Sequence, residues 1–498
     1  MKQSTKIVSS NLSIVPVGSS LAYGHFDTIH PGHIRYLRHA KTLGTQLVVA
    51  VQSDKDYFNN PLEFSLEERC EALSLLGIID FIIPLEQYNL FSVLKQINPK
   101  TLVLGDQARA NDFSPLLLDY TKENSISIEF HAGERTYASA DLLLSTTFDL
   151  RRHRRQDFIQ ACNRQKISHS DLLNYSEQLS NARIAVIGDT IVDQFAACEA
   201  IGMSAEAPVI VVKELEKKNF IGAAAIVASH VRSFGATCDL ISVVGDDSTA
   251  EFVSDYLLSS EIGNFLSVDP TRPTTFKKRY LVENQKLFRV SRLEDHSINS
   301  EIEEKVIDAL NVIAPTIDGL IISDFVYGVI TPQVLSHITS LRKQYGFQLF
   351  GDVQCSSQVG SILKFQNFTL LSPNEREARY ALQNKDSGLE ELSYCLMNST
   401  STNKLVMKLG SSGFICYEKK ADGSVKSQPF PALSTNPVDV SGAGDSVLAV
   451  LATALSSNVP FMDAAALACC TASEAVETMG NLPVTTANLK KRINSLFG

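Results

Sequence analysis

The chain has 498 residues, of which 44% are hydrophobic and 20% charged, and it carries a formal net charge of −10. That length is too great for one ordinary core and predicts two or three domains of a globular enzyme, not a disordered or fibrous chain. The acidic balance argues against nucleic acid or an anionic membrane surface as the main partner, but leaves small anions open at a locally positive site.

The first stretch, MKQSTKIVSSNLSIVPVG, has no long apolar core of a secretory signal, and no run of about 18 apolar residues follows anywhere. Nine cysteines without a CxxC pair do not suit a disulfide framework, and adjacent Cys469 and Cys470 in an apolar helical run read as buried thiols. A reducing cytoplasm, with no membrane partner, is the expectation.

From Leu21 to about Phe130, short apolar strands alternate with amphipathic helices: QLVVAVQSD, DFIIPL and KTLVLGD read as strands. SLEERCEALSLLG (65–77) carries a capping box in Ser65 and Glu68, with Gly77 suited to its C-terminal cap. Such alternation predicts a parallel, doubly wound sheet. In YGHFDTIHPGH, His30 and His33 flank a Pro-Gly turn before a helix. No cysteine or acid cluster joins them, which weighs against zinc, although His25 and Asp27 keep a metal open. The turn argues against a core role. An anion reading has a mechanism: Gly32 lets a ligand approach the backbone, the helix N-terminus offers N–H groups, and two imidazoles donate to phosphate oxygens as charge builds on a leaving pyrophosphate.

Residues 148–183 are polar and helical in pattern and begin with an Arg151–Arg155 cluster. A solvated linker helix is favoured over an anion or targeting patch. The domain boundary is set here: 1–147, a connector over 148–180, and 181–498. A second alternation opens with ARIAVIGDTIVD, a strand running into a turn, then the helix GAAAIVASHVRSFGA, the strand CDLISVVGDD and a helix from Ala250. TTFKKRYLVENQKLFRVSR reads as two period-2 strands around ENQK, a hairpin or lid. GLIISDF, FQLFGDV, TLLSPN and KLVMKLG follow as strands, and then a helix-rich tail. In PVDVSGAGDSV, Gly442, Ala443 and Gly444 let successive N–H groups face a phosphate at a helix start. Asp445 there either takes a proton from an attacking hydroxyl or merely caps the helix.

These residues carry two resemblances. GHFDTIHPGHIRYLRHAKTLG with LVVAVQSD and SLEERCEAL resembles the cytidylyltransferase-like nucleotidyltransferases over about residues 20–145. The likeness implies transfer of a nucleotidyl group onto a phosphate with Mg²⁺. It makes His30 and His33 catalytic and sets Gly24, Phe26, Gly32, Asp106 and Ser139 against the nucleotide. VSGAGDSV, SPNEREA and KLGSSGF are similar to ribokinase-like (PfkB) sugar kinases over roughly 180–495. That likeness implies Asp445 as base and Gly410, Gly442, Ala443 and Gly444 at the nucleotide, with Asn374 and Glu377 at phosphates and Glu377 at Mg²⁺. Within that family, GDTIVDQF, SAEAPVIVVKE and TTFKKRYLVENQKLFRV resemble the bifunctional heptose-7-phosphate kinase / heptose-1-phosphate adenylyltransferases, with the domain order inverted. By that likeness Asp189, Asp193 and Gly222 bind sugar, and Lys277, Arg279, Gln285 and Arg289 line the lid and sugar-phosphate region. The family's Gly-Gly-Ala-Ala-Asn, Asp-Tyr-x-Lys-Gly and Asp-Pro-Lys-Gly segments read here Ile221–Ala225, Asp324–Gly328 and Asp352-Val353-Gln354-Cys355, so two lysines and an amide are absent.

The resulting expectation is an α/β protein of two doubly wound domains, the second with a small β lid, that activates a sugar. One domain phosphorylates a heptose 7-phosphate-like sugar with ATP; the other joins a sugar 1-phosphate to AMP from ATP, CTP being the alternative donor. The partners are sugar phosphates and nucleotides, with a homodimer through the kinase lid. Two alternatives accompany it: one half is a degenerate binding domain, or both act on a non-heptose sugar or polyol phosphate.

Overall fold

The computed structural model describes residues 5–8, 12–27, 29, 31–54, 64–86, 88–105, 115–129, 147–283, 285–354 and 360–497. The chain divides into two compact units: Met1–Leu144 with Ala378–Leu405 and Ile415–Gln428, and Ser145–Glu377 with Val406–Phe414 and Pro429–Gly498.

The first unit is built on six strands: β1 (Lys6–Ile7), β2 (Ser20–Gly24), β3 (Leu47–Val51), β4 (Phe81–Pro84), β5 (Thr101–Leu104) and β6 (Ser127–Glu129). They lie in the order β1-β4-β3-β2-β5-β6, and all pairings are parallel. Every residue of β3 is buried, as expected of a strand covered on both faces by crossover helices. Those helices are α1 (Pro31–Thr42), α2 (Leu66–Ser74), α3 (Leu90–Ile97) and α4 (Pro115–Glu123). The strand order reverses between β2 and β5, so the crevice for a ligand opens at the carboxyl ends of those two strands. The Ser65–Glu68 capping box forms as the sequence indicates. Its helix stops earlier than expected, however: Leu75 is the C-cap, and Gly77, at φ +66°, turns the chain two residues beyond it.

The second unit starts with α5 (Thr147–Gln165) and α6 (His169–Gln178). The expected connector keeps Arg151, Arg152 and Arg155 exposed, while its other face packs within this unit. Arg154 donates to the carbonyls of Ser434 and Ser411, Arg155 to Leu496, and Phe158 is buried against Phe430 and Phe497. Charge on one face hid the apolar anchor on the other.

The strands that follow in the chain are β7 (Arg183–Gly188), β8 (Thr190–Met203), β9 (Ile210–Ala223), β10 (Thr237–Val244), β11 (Gly263–Val268), β12 (Thr275–Val282), β13 (Gln285–Arg292), β14 (Gly319–Asp324), β15 (Gln348–Val353), β16 (Leu370–Leu371), β17 (Lys404–Lys408), β18 (Phe414–Lys419) and β19 (Val425–Phe430), the last two falling largely in the first unit. Between and after them run α7 (Ala224–Ser233), α8 (Ser248–Ser259), α9 (Ser300–Ile313), α10 (Pro332–Tyr345), α11 (Glu375–Ala381), α12 (Leu389–Thr400, also in the first unit), α13 (Ala443–Ser456), α14 (Phe461–Ala475) and α15 (Thr486–Phe497). A nine-stranded sheet has the order β11-β10-β7-β14-β15-β16-β17-β18-β19. Its order reverses between β7 and β14, where parallel pairing runs to Gly188 and Ser323. α13 is apolar on all sides and buried from Asp445 to Ser456, the pattern of a helix inside a core.

The lid is larger than the sequence indicates. The expected hairpin forms as β12 and β13, but it belongs to a four-stranded sheet, β13-β12-β8-β9. The turn expected after ARIAVIGD is the start of β8, which pairs with β9 along almost its whole length. β8 begins buried on both faces and ends exposed, so it shows no uniform period of two.

Candidate active sites

In the first unit, β2 ends at Gly24 and the chain turns through Phe26, a residue at φ +53° and only 2% exposed. The Phe26 ring packs against the His33 ring, centroids 5.1 Å apart, and against Tyr36. A side chain at Gly24 would come within 3.1 Å of that ring. Tyr36 accepts from the Tyr23 N–H at 2.8 Å and donates to the Val103 carbonyl at 2.6 Å, tying α1 to β2 and β5. Gly24, Phe26, Gly32 and His33 therefore gather at the carboxyl end of β2, with Gly32 and His33 in the first turn of α1. His30, Asp106 and Ser139 lie outside the described residues. Among the described residues no group of three or more His, Cys, Asp or Glu is placed to hold a metal ion.

Sequence reading missed Arg69. Its guanidinium is fully buried and donates to the carbonyls of Phe64 (3.1 Å), Gln52 (2.9 Å) and His25, and it pairs with Asp54. In a helical pattern an arginine between Glu68 and Cys70 looks like part of a solvated face. Its role follows from the loops it joins.

In the second unit the carboxyl ends of the parallel strands converge on the start of α13. Gly442, at φ +79°, begins that helix, and a side chain there would stand 2.4 Å from Asn481 Oδ1. Asp445 is 5% exposed, and the Gln354 amide donates to its Oδ1 at 2.8 Å. Burial first, then the nearby Asp352 and Asp193, push the Asp445 carboxyl up to about 7, against the pull of Lys408 and Gln354. Lys408, at the end of β17, donates to Asp352 at 2.6 Å. Burial works to lower its pKa, but Asp352, Glu377 and Asp445 together raise it above the ordinary lysine value, so it stays charged. Asn374 forms a bridge with Lys408 and exchanges hydrogen bonds of 2.8 Å with Glu377 at the start of α11. Gly410 opens the short turn after β17 at φ +59°.

Among the residues expected to bind sugar, Asp193 pairs with Arg279 across the lid sheet, and a side chain at Gly222 would meet Asp193 Oδ2 at 2.8 Å. Lys277 is buried, its ammonium 5.5 and 5.2 Å from the ring centres of Phe325 and Tyr327. Asp189 accepts from the N–H groups of Phe325 (2.8 Å) and Tyr327 (3.3 Å); burial and then Asp324 push it up to about 7. Asp193, Gly222 and Arg279 thus meet, with Asp193 close enough to act on Asp445, while Asp189 and Lys277 both adjoin Phe325 and Tyr327. Gln285 and Arg289 are exposed on β13, with Arg289 opposite Arg279 in the strand register. The β13 residue that reaches the turn before α13 is Lys286, bonded to Asp439 at 3.0 Å. The sequence pointed to it only through the basic character of the lid.

Residues 181–486 match a family model described as pfkB family carbohydrate kinase, and residues 21–256 one described as cytidylyltransferase-like. Two proteins named bifunctional protein HldE are similar. One from Campylobacter jejuni subsp. jejuni is 31% identical over 316 residues, covering 62% of this chain and 64% of its own length; one from Geobacter sulfurreducens is 31% identical over 312 residues, covering 61% of each. The chain thus spans less than two thirds of these relatives. Among solved structures, phosphofructokinase-2 from Escherichia coli superposes with a TM-score of 0.54 at 15% identity, over 64% of this chain and 100% of its own. Ribokinase from Arabidopsis thaliana gives 0.50 at 17% identity, over 63% and 98%. These likenesses show a shared fold. Among the described residues no helix is long and apolar enough to cross a membrane.

Proposed function

Because the chain belongs to the pfkB family of carbohydrate kinases, we propose that its second unit moves the γ-phosphoryl group of ATP onto a hydroxyl of a sugar phosphate resembling heptose 7-phosphate. After a separate phosphatase has hydrolysed the original phosphate from the resulting bisphosphate, the first unit joins the sugar 1-phosphate to the AMP part of ATP, releasing pyrophosphate, in the cytoplasm. The observation that carries the reading is the meeting of Asp445, the 442–444 turn and the Asn374–Glu377 pair at one helix start. There the sugar hydroxyl gives its proton to Asp445 while its oxygen bonds the γ-phosphorus. The bond to the bridging oxygen breaks, and ADP leaves with the electron pair. The N–H groups of the turn receive the charge on the transferring group. Glu377, as a single carboxylate beside phosphate oxygens, suits Mg²⁺, which supplies charge neutralisation when bound. In the first unit a phosphate oxygen of the sugar attacks the α-phosphorus, with His30 and His33 donating to the departing pyrophosphate. ATP is the proposed donor there and CTP the alternative.

One observation favours a second reading, a non-heptose sugar or polyol phosphate. Tyr327, 2% exposed, and Phe325 form an apolar wall where the resemblance expects a lysine. The lid supports a homodimer: Ile201, Met203, Ile210, Leu215 and Phe288 are each more than half exposed on its sheet.

The test follows ADP and pyrophosphate separately with the whole purified protein, heptose 7-phosphate and heptose 1-phosphate. Asp445→Asn is expected to abolish ADP formation and leave pyrophosphate release intact. Loss of both together would refute the division of labour.

A further inference from the structure

Each charged group around Asp445 comes from a different element: Asp352 from β15, Asp193 from β8 with Arg279 of β12, Glu377 from α11 and Lys408 from β17. Lys408 is the cation at the centre of this set. Its Nζ is 2.6 Å from Asp352, and a Cβ built on Gly444 would lie only 3.3 Å from it, so the ammonium sits beside the turn that opens α13. The residue at 354, where the resemblance expects a lysine, is Gln354, and its amide is spent on Asp445. A neutral amide cannot meet phosphoryl charge as an ammonium can.

We propose that Lys408 is the cation that meets the transferring phosphoryl group, entering from β17 in place of the lysine absent at 354. This rests on the kinase reading of the second unit. The pairing with Asp352 holds the ammonium at the anion-binding turn, and with its side chain only 15% exposed, water screens it weakly. As the γ-phosphoryl group passes from the bridging oxygen to the sugar oxygen, Lys408 supplies the positive end while Asp445 takes the proton. Gly444 then has a second reason to be glycine: it leaves room for the lysine head as well as for the phosphate.

The test compares Lys408→Met, Lys408→Arg and the double swap Lys408→Thr/Gln354→Lys with the wild-type protein. Isothermal titration with ATP and with ADP separates a γ-phosphate partner from a merely structural one. Lys408→Met is expected to weaken ATP at least about tenfold, the worth of one charge-assisted contact, while ADP changes less than about twofold. In turnover, kcat is expected to fall roughly 10²–10³-fold, and the acid limb of the pH profile to move upward, because Asp445 loses its compensating charge. Lys408→Arg and the double swap are expected to recover most of the ATP preference. An unchanged ATP-to-ADP affinity ratio and an unmoved acid limb in a folded Lys408→Met protein would overturn the proposal. If the wild-type protein turns over no sugar phosphate, the kinase reading fails separately, and the ATP-to-ADP ratio still decides the role of Lys408.

Discussion

Arg69→Met removes the guanidinium that joins the loop after β2, the end of β3 and the start of α2. The side chain has no exposure, whereas its partner Asp54 is half exposed and can rehydrate. What cannot be repaired is the set of carbonyls at His25, Gln52 and Phe64, which lose a planar donor that serves all three. Removing one side of such a buried charged network costs about 3–5 kcal/mol, and rehydration of Asp54 puts this case near the lower end. With a urea slope of about 2 kcal/mol/M, the midpoint of the first unit should fall by about 1–2 M. Arg69→Lys should recover less than half of the loss, because an ammonium cannot span the same carbonyls as a fork. Hydrogen exchange read by mass spectrometry localises the effect: peptides covering 20–27 and 47–54 should lose protection. Pyrophosphate release should fall with them, since these residues flank His33, while ADP formation is retained. An Arg69→Met protein that unfolds at the wild-type urea concentration would refute the argument that this arginine holds the site together.

The pH profile of phosphoryl transfer should show an acid limb near pH 7. Asp445 acts as a base only when deprotonated, so the rate should fall tenfold per unit below its pKa of about 7; Asp352→Asn, which removes the like charge that raises it most, should shift the limb to lower pH. Gly222→Ala should drive a methyl into Asp193 Oδ2 at 2.8 Å and disturb its pairing with Arg279. Steady-state assays should then show KM for the sugar phosphate rising roughly tenfold while KM for ATP barely changes, as expected from losing one charge-assisted contact. Gly442→Ala should cost about 1–2 kcal/mol by calorimetry, because its backbone is at φ +79° and a Cβ would meet Asn481 Oδ1 at 2.4 Å, and it should also depress kcat.

What was legible in the sequence was local. The SGAGD turn, the Ser65–Glu68 cap and the β12–β13 hairpin are written in neighbouring residues, and each forms where the pattern points. The long strands β8 and β9 escaped because their burial changes along their length, so no window shows a clean alternation. Arg69 and Lys408 escaped for a related reason. Each is a charged residue in an otherwise ordinary helix or strand pattern, and only tertiary pairing turns it inward. In α5 the arginines read as solvated, and Arg151, Arg152 and Arg155 are exposed; what the sequence does not show is that Arg154 and Arg155 also end on backbone carbonyls.

The same pairing logic bears on how an acidic chain could select a phosphosugar. The basic residues beside the second site are not simply arrayed toward a ligand: Arg279 faces Asp193, Lys286 faces Asp439, and Lys408 faces Asp352. An incoming dianion must share or displace those carboxylates, so each contact yields the difference between two ion pairs and not the whole of one. Lys277 is different, since its ammonium lies over the Phe325 and Tyr327 rings. Exchanging a ring face for a phosphate oxygen strengthens that interaction without leaving a carboxylate unpaired. Discrimination between a phosphosugar and its neutral counterpart should therefore fall more with Lys277→Met than with Arg279→Met. Competition between the two sugars for ADP formation would measure it. An equal loss in both variants would mean that the carboxylate partners give up their cations at no net expense, contrary to the electrostatics of a buried pocket.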